Sequence, residues 1–365
     1  MARTSDERFM DLALALARRG LGATHPNPVV GAVVVRRGEI VGRGWHARAG
    51  GPHAEVVALA AAGSRARGAT LYVTLEPCCH TGRTPPCTDA VRAAGIARVV
   101  AAMRDPNPLV DGKGLALLRR RGVSVAAGCR EAAARELNAG FVKRVTTSMP
   151  LVTLKAALTL DGRIATSSGE SKWITGPEAR RHVQSLRAQS DAIAVGVGTV
   201  LADDPRLSAR DGSARRPVRV VFDTELRTPP AARALAGARA GGGGVLILAA
   251  PDAPRARRTR LERAGARVIA VPRAARGGVS LRRALRALAR VGLNTLLLEG
   301  GGRLATAFLA DRLVDRVALF YALVILGGAK PLVGDLGIAR LAGAIHLRDT
   351  TCRRIGGDLL IEGRL

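Results

Sequence analysis

At 365 residues the chain is long enough for about two domains, each with its own core, and 47% of it is hydrophobic. No apolar run approaches the roughly eighteen residues of a membrane-spanning helix, so no membrane association is expected. The formal net charge of +28 would suit a polyanion, but the excess is almost all scattered arginine, and two Trp, two Tyr and five Phe are too few for a base-stacking platform; no nucleic-acid partner is expected.

Residues 1–19 mix charges with an Ala/Leu pattern and lack the apolar core of a signal peptide, so a cytoplasmic enzyme is expected. Residues 6–19 read as an amphipathic helix, followed by a Gly/Pro/Asn-rich loop at 20–28. Strands follow at 29–35 and 40–45, a helix at 55–62 and a strand at 69–75. Pro85-Pro86-Cys87 opens a helix over 88–94, and 98–103 is another strand that ends in the loop Asp105-Pro106-Asn107-Pro108. The domain boundary is expected within 142–150, dividing the chain into 1–146 and 147–365. The second part starts a fresh α/β pattern, with apolar strands at 151–157, 192–197, 218–222, 245–249, 268–271 and 295–298. The arginine runs at 255–263 and 282–290 read as solvated helix faces.

Three of the five cysteines crowd into Cys78, Cys79 and Cys87, which suits metal binding in a reducing compartment better than a disulfide framework. Cys129 and Cys352 read as ordinary buried or semi-buried thiols. His53, Cys78 and Cys87 supply one imidazole and two thiolates, three corners of a tetrahedral zinc site with the fourth left for water. Glu55, two residues from His53, remains free to move protons. Zinc-dependent nucleobase deaminases use this set, with bound water attacking an amino-bearing ring carbon. Cys79 is a possible competitor for the metal.

The long spacing Pro-Cys-Cys-His-Thr-Gly-Arg-Thr-Pro-Pro-Cys at 77–87, with His25-Pro26-Asn27-Pro28 and Gly-Pro-His-Ala-Glu at 51–55, resembles the deaminase half of the bifunctional riboflavin-biosynthesis deaminase/reductases. The resemblance covers 5–145 and implies a cytidine-deaminase-like three-layer α/β/α domain. By motif position His53, Cys78 and Cys87 would be the zinc ligands and Glu55 the proton shuttle. Asn27 could meet the pyrimidine edge or serve only as a turn residue; His80 and Arg83 on the insertion, and His46, could contact the ribose phosphate or merely decorate the surface.

In the second part, Leu154-Lys155-Ala156-Ala157, Ser168-Gly169-Glu170-Ser171-Lys172-Trp173-Ile174-Thr175, Gly196-Val197-Gly198-Thr199 and Asp203-Asp204-Pro205-Arg206-Leu207 precede Glu299-Gly300-Gly301-Gly302. The last of these follows an apolar strand and opens a helix, a ready cradle for a pyrophosphate, although neither Gly-rich turn alone specifies a dinucleotide. Together the motifs resemble the reductase half of the same family over 148–364, and imply a dihydrofolate-reductase-like α/β domain. By motif position Ala157, Trp173, Thr199, Asp203, Thr224, Gly301, Gly302, Arg303 and Leu304 would contact NADPH. Ser171, Arg187, Leu207, Arg210 and Glu299 would contact the substrate. Lys155 either polarises the ribose carbonyl or imine as hydride arrives or pairs structurally with a carboxylate. The resemblance further implies one zinc per chain, a phosphorylated pyrimidine substrate and a homo-oligomer. A nucleic-acid editing deaminase would explain the charge and the zinc ligands, but not 168–175 or the turn at Gly301.

Overall fold

The computed structural model describes residues 4–82, 85–210, 212, 216–238, 244–275, 277–328 and 330–365, and the chain divides into two compact units, Met1–Ser148 and Met149–Leu365. The first unit is built on strands β1 (Gly31–Arg36), β2 (Glu39–Trp45), β3 (Thr70–Val73), β4 (Arg98–Ala101) and β5 (Ser124–Ala127). They lie in the order β2-β1-β3-β4-β5; β1 is antiparallel to both its neighbours, and β3, β4 and β5 run parallel. Helices α1 (Ser5–Ala17), α2 (Ala54–Ala62), α3 (Cys87–Ala93), α4 (Lys113–Arg120), α5 (Glu131–Leu137) and α6 (Ala139–Thr147) complete it.

The two-residue period of the strands sorts these helices into layers. Val33, Val35, Tyr72 and Val100 share one core with Phe9, Met10 and Leu14 of α1 and Ala134 of α5. The alternate residues Ala32, Val34, Leu71, Val73, Val99 and Ala101 share the other with Ala58 and Leu59 of α2, Val91 of α3 and Leu115 and Leu118 of α4. Each such Val or Leu contributes roughly 1.5–3 kcal/mol by leaving water, and the result is a three-layer α/β/α sandwich. Gly42 and Gly44 let α2 lie directly on β2, since a Cβ at either would run into the carbonyl oxygens of Ala58 and Ala54. That close seating places the N-terminus of α2, where His53 is the capping residue, at the end of the sheet.

The second unit contains β6 (Leu151–Thr159), β7 (Arg163–Ala165), α7 (Pro177–Gln189), β8 (Ala192–Gly196), α8 (Val197–Asp203), β9 (Val218–Phe222) and β10 (Val245–Ala249). Then come α9 (Arg255–Arg263), β11 (Arg267–Ala270), α10 (Leu281–Arg290), β12 (Thr295–Leu298), α11 (Gly302–Ala310), β13 (Arg316–Ala322), β14 (Lys330–Pro331), β15 (Arg348–Ile355) and β16 (Asp358–Arg364). The large sheet has the order β11-β10-β9-β8-β12-β6-β13-β16-β15, parallel from β11 to β13 and antiparallel across β16 and β15. The chain winds outward from β6 through β8, β9, β10 and β11, then returns to insert β12 between β8 and β6. Such a switch opens a crevice at the C-terminal ends of neighbouring strands, where ligands of open α/β sheets bind. One face packs on α10 and α11 through Leu285, Leu288 and Phe308. The other packs on α8 and α9 through Val200 and Leu261, and on α7 through Val183 against Phe320.

Candidate active sites

In the first unit the metal ligands expected from sequence converge. His53 caps the N-terminus of α2 with its imidazole making no cap hydrogen bond, and Cys87 is the first residue of α3. Cys78 lies on the turn beyond β3. The three ligand atoms fall within 4.8 Å of one another, with Nδ1 of His53 3.0 Å from Cys87 Sγ and 3.6 Å from Cys78 Sγ. Zinc bonds of about 2.0–2.3 Å set tetrahedral corners roughly 3.3–3.8 Å apart, so the donor set fits that ion. Cys79 stands outside the cluster.

The Cys78 Sγ also accepts a hydrogen bond from the Cys87 backbone N–H at 3.3 Å. The Cys87 thiol and the His53 imidazole beside it hold Cys78 well below the ordinary thiol range, whereas contact with Cys78 and burial push Cys87 up. The Cys78 sulfur holds His53 above its ordinary value. Glu55, the second residue of α2, is 4% exposed, and burial raises its carboxyl above the usual range. A buried carboxyl beside the metal ligands is placed to act as a general acid and base.

Around the centre, the Nδ1 of His46 lies 3.0 Å from the Pro52 carbonyl oxygen, which can only accept, so Nδ1 carries the proton. Burial lowers the His46 pKa, and the neutral ring accepts a hydrogen bond from Asn27 Nδ2 at 3.0 Å through Nε2. This fixes the Asn27 amide beside the metal ligands, because His46 also stands edge-on to His53 with ring centroids 5.5 Å apart. His80 has a buried Nδ1 without a hydrogen-bond partner. Asp105, 7% exposed, is pushed by burial to about 6 and accepts the Asn107 N–H at 2.9 Å. Arg83 lies outside the described residues.

Sequence reasoning did not single out Glu76. Its carboxylate, on a residue 3% exposed, accepts the backbone N–H groups of Asp105 (3.1 Å), Gly112 (2.9 Å) and Leu115 (3.1 Å). The available signal was a carboxylate placed directly after an apolar strand and two residues before a metal ligand.

In the second unit Ala157, Thr224 and Glu299 lie at or just beyond the C-terminal ends of β6, β9 and β12, and, Lys155 of β6 aside, the other expected residues are spread over α7, α8, α11 and the segments around them. Lys155 and Ala157 sit on the face of β6 whose register partners, Ala318 and Phe320, pack on α7. Glu299 directly follows β12, and its N–H donates to Ala194 O at 2.8 Å. Arg187 of α7 donates from Nε and Nη2 to the two Glu299 carboxylate oxygens, both at 2.7 Å, and from Nη1 to Ser208 O at 3.2 Å. Its fork therefore faces a carboxylate in this structure instead of standing open toward an anion. Burial works to raise the Glu299 carboxyl, but Arg187 and Lys155 outweigh it and hold the group below its ordinary value. Burial lowers Lys155, with Glu299 opposing.

Thr199 of α8 accepts the Gly301 N–H on Oγ1 at 3.2 Å, which ties the start of α8 to the turn that opens α11. Gly302, Arg303 and Leu304 form the first turn of α11; Leu304 N–H donates to the Gly301 carbonyl oxygen at 3.1 Å, and the N–H groups of Gly302 and Arg303 precede the first intrahelical bond. A Cβ on Gly302 would meet Pro331 O at 2.5 Å, so only glycine lets this helix start so close to β14. A bare glycine turn beneath a helix N-terminus suits a dinucleotide pyrophosphate. Thr224 stands two residues past β9, its carbonyl accepting Ala250 N–H at 3.0 Å, and Asp203 ends α8. Ser171 and Trp173 lie on the segment before α7, where Trp173 is 68% exposed with Arg180 4.8 Å from its ring centroid. Leu207 is 2% exposed and belongs to the core beneath α8 and α9, so only its main chain can meet a ligand. Arg210 is exposed and anchored by its N–H to Gln184 Oε1 at 3.0 Å. Cys352, expected to be at least semi-buried, is exposed on the edge strand β15.

Fold and site together define a zinc-binding deaminase domain followed by an α/β domain of reductase type. The model described as the cytidine and deoxycytidylate deaminase zinc-binding region matches residues 3–103, and the RibD C-terminal domain matches 150–361. The riboflavin biosynthesis protein RibD of Aquifex aeolicus is 44% identical over 362 residues, covering 99% of each chain; that of Escherichia coli is 43% identical over 375, covering 98% of each. Among solved structures, Acinetobacter baumannii RibD superposes with a TM-score of 0.90 at 38% identity over 99% of both chains. A Thermotoga maritima diaminohydroxyphosphoribosylaminopyrimidine deaminase/5-amino-6-(5-phosphoribosylamino)uracil reductase gives 0.85 at 36% identity, over 99% of this chain and 98% of that one. The chain belongs to the RibD family of riboflavin biosynthesis proteins.

Proposed function

We propose that the chain performs two consecutive steps of riboflavin biosynthesis. Residues 1–146 deaminate 2,5-diamino-6-ribosylamino-4(3H)-pyrimidinone 5′-phosphate, and 147–365 reduce its ribosyl side chain to ribityl with NADPH. The observation that carries the reading is the meeting of His53 Nδ1, Cys78 Sγ and Cys87 Sγ beside the buried Glu55 carboxyl, in a chain that continues into a RibD C-terminal domain.

His53, Cys78 and Cys87 would hold zinc, which when bound lowers the pKa of water to about 7 and so supplies a nucleophile. Glu55 would accept a proton from the attacking water and pass it to the departing amine, its buried carboxyl held above the usual carboxylate range. Asn27, its amide held by His46, meets the pyrimidine edge. His80, with its unpartnered Nδ1, and Arg83 serve the ribose phosphate.

In the second domain the first turn of α11 with Thr199, Asp203, Thr224, Ala157 and Trp173 would hold NADPH, which supplies the hydride. Lys155 would donate a hydrogen bond to the ribose C1 substituent during reduction, with the Glu299 carboxylate opposing the fall in its pKa that burial causes. Ser171, Arg210 and the Leu207 main chain line the substrate. Arg187 serves the substrate mainly by orienting Glu299. Among the described residues no helix is long and apolar enough to cross a membrane. The protein works as a homo-oligomer; support comes from the exposed apolar run Leu323, Val324, Ile325 and Leu326 in the same unit as the exposed edge strand β15. Sedimentation of the purified chain tests that assembly, and a single monomer species at micromolar concentration would refute it.

The two activities are tested by mass spectrometry of the diaminopyrimidinone phosphate incubated with the zinc-loaded chain, with and without NADPH.

A further inference from the structure

We propose that Glu76 is a positioning residue for the deamination centre, setting through the backbone both the placement of Cys78 and the seat of the loop Asp105-Pro106-Asn107-Pro108. The inference rests on the zinc reading above and concerns what holds that site in place.

Glu76 stands where β3 runs out, with its own N–H on Met103 O at 3.0 Å. Its carboxylate meets three backbone N–H groups: Oε2 accepts from Asp105 and Gly112, Oε1 from Leu115. Three converging donors require a group that only accepts, which a carboxylate is. Gly112 and Leu115 bracket the first turn of α4, so Glu76 caps that helix from outside its own sequence. On the same turn, a Cβ at Gly114 would run into the Pro77 carbonyl oxygen, so α4 bears directly on the peptide unit that leads to Cys78. Cys78 is then fixed from the other side, its carbonyl oxygen accepting Thr88 N–H at 3.2 Å and its Sγ accepting Cys87 N–H at 3.3 Å.

The third donor extends the joint to the substrate side. Asp105 N–H holds the start of the loop, and Asp105 Oδ1 in turn accepts Asn107 N–H at 2.9 Å. One carboxylate thus ties three things together: the ligand-bearing turn, the start of α4 and the 105–108 loop. A plain helix cap needs only a local Ser, Asp or Asn. Glutamine cannot substitute, because its amide nitrogen would face at least one of the three N–H donors.

The test uses the full chain carrying Glu76→Gln, Gly114→Ala, or Arg120→Ala on the exposed side of α4 as a control. Gly114→Ala leaves Glu76 intact and pries at the same joint. Readouts are zinc affinity by chelator competition, the absorption spectrum of the cobalt-substituted protein, and deaminase kcat and KM. Reductase activity of the same molecules and hydrogen exchange in β3 and β4 report folding. Outer-shell changes of this kind lower metal affinity or activity about 10–100-fold. We expect losses of that size in zinc affinity and kcat, a raised KM and a shifted cobalt spectrum for both joint variants, with reductase activity and the Arg120→Ala protein unchanged. Unaltered zinc affinity, spectrum, kcat and KM in the folded variants would overturn the role. So would lost exchange protection accompanied by parental zinc affinity and kinetics in the folded fraction, since that describes a structural cap alone. A parent chain that takes up no zinc would remove the deaminase reading itself, and this role with it.

Discussion

Replacing Arg187 with Met should disable the second unit and leave the first intact. The two Arg187–Glu299 hydrogen bonds are both 2.7 Å long, and the side chains are only 15% and 8% exposed. Breaking a buried, bidentate pair on one side leaves a charge without its partner, which typically destabilises by about 3–5 kcal/mol. Lys155 also attracts Glu299 and compensates in part, so the lower end, about 3 kcal/mol, is expected. Glu299→Gln and the double variant complete a cycle whose coupling should reach about 2 kcal/mol. The pH dependence has a definite sign. Glu299 titrates in the folded chain below its ordinary value of 4.5, so its ionisation contributes stability that is present above 4.5 and lost as pH falls through the lower folded value. The parent's second unit should lose that stability on acidification, and the Arg187→Met protein should not. Denaturant-dependent hydrogen exchange in β6 and β12 measures both effects, alongside a reduced reductase kcat/KM. A coupling below about 0.5 kcal/mol, within the scatter of independent sites, together with the same acid-side loss in both proteins, would refute the argument.

Two further outcomes follow from the geometry. Glu55→Gln should retain zinc and reductase activity while deaminase kcat falls by about 10²–10⁴-fold; a smaller loss in a steady-state deamination assay would remove Glu55 from proton transfer. Gly302→Ala places a Cβ 2.5 Å from Pro331 O, and overpacking costs about 1–3 kcal/mol. Directed at the start of α11, that strain should weaken NADPH binding about 5–100-fold in a fluorescence titration with deaminase activity unchanged, and an unaltered Kd would exclude this turn from the cofactor site.

The metal centre was legible in the sequence because its information is local: His53, Glu55, Cys78 and Cys87 fall on two helix starts and one strand end. Buried parallel strands were legible for a similar reason, and 218–222, 245–249 and 295–298 coincide with β9, β10 and β12, continuous apolar runs. Boundaries shifted where partners decide them. The strand expected to end at 157 runs to Thr159 because its pairing with β13 continues to Ala322. Val29 and Val30, expected to belong to a strand, lie before β1, with Val29 N–H on Asn138 Oδ1 at 2.9 Å. Residues 109–141 gave no element boundaries, yet they contain α4, β5 and α5 and supply two of the three donors that Glu76 gathers. The terminal hairpin of β15 and β16 was also missed, since Arg348-Asp349-Thr350-Thr351-Cys352-Arg353-Arg354 is an exposed edge without hydrophobic alternation. The Arg187–Glu299 pair joins residues 112 positions apart, and only the insertion of β12 between β8 and β6 brings them together.

The most direct test of the central claim is a mass-spectrometric assay of the zinc-loaded chain with the diaminopyrimidinone phosphate, repeated after chelation of the metal and with and without NADPH. The account predicts the deaminated ribosyl product without NADPH, the ribityl product with it, and neither product of the starting compound once zinc is removed, while deaminated substrate supplied from outside is still reduced. A folded, zinc-bearing chain that changes neither compound would contradict it.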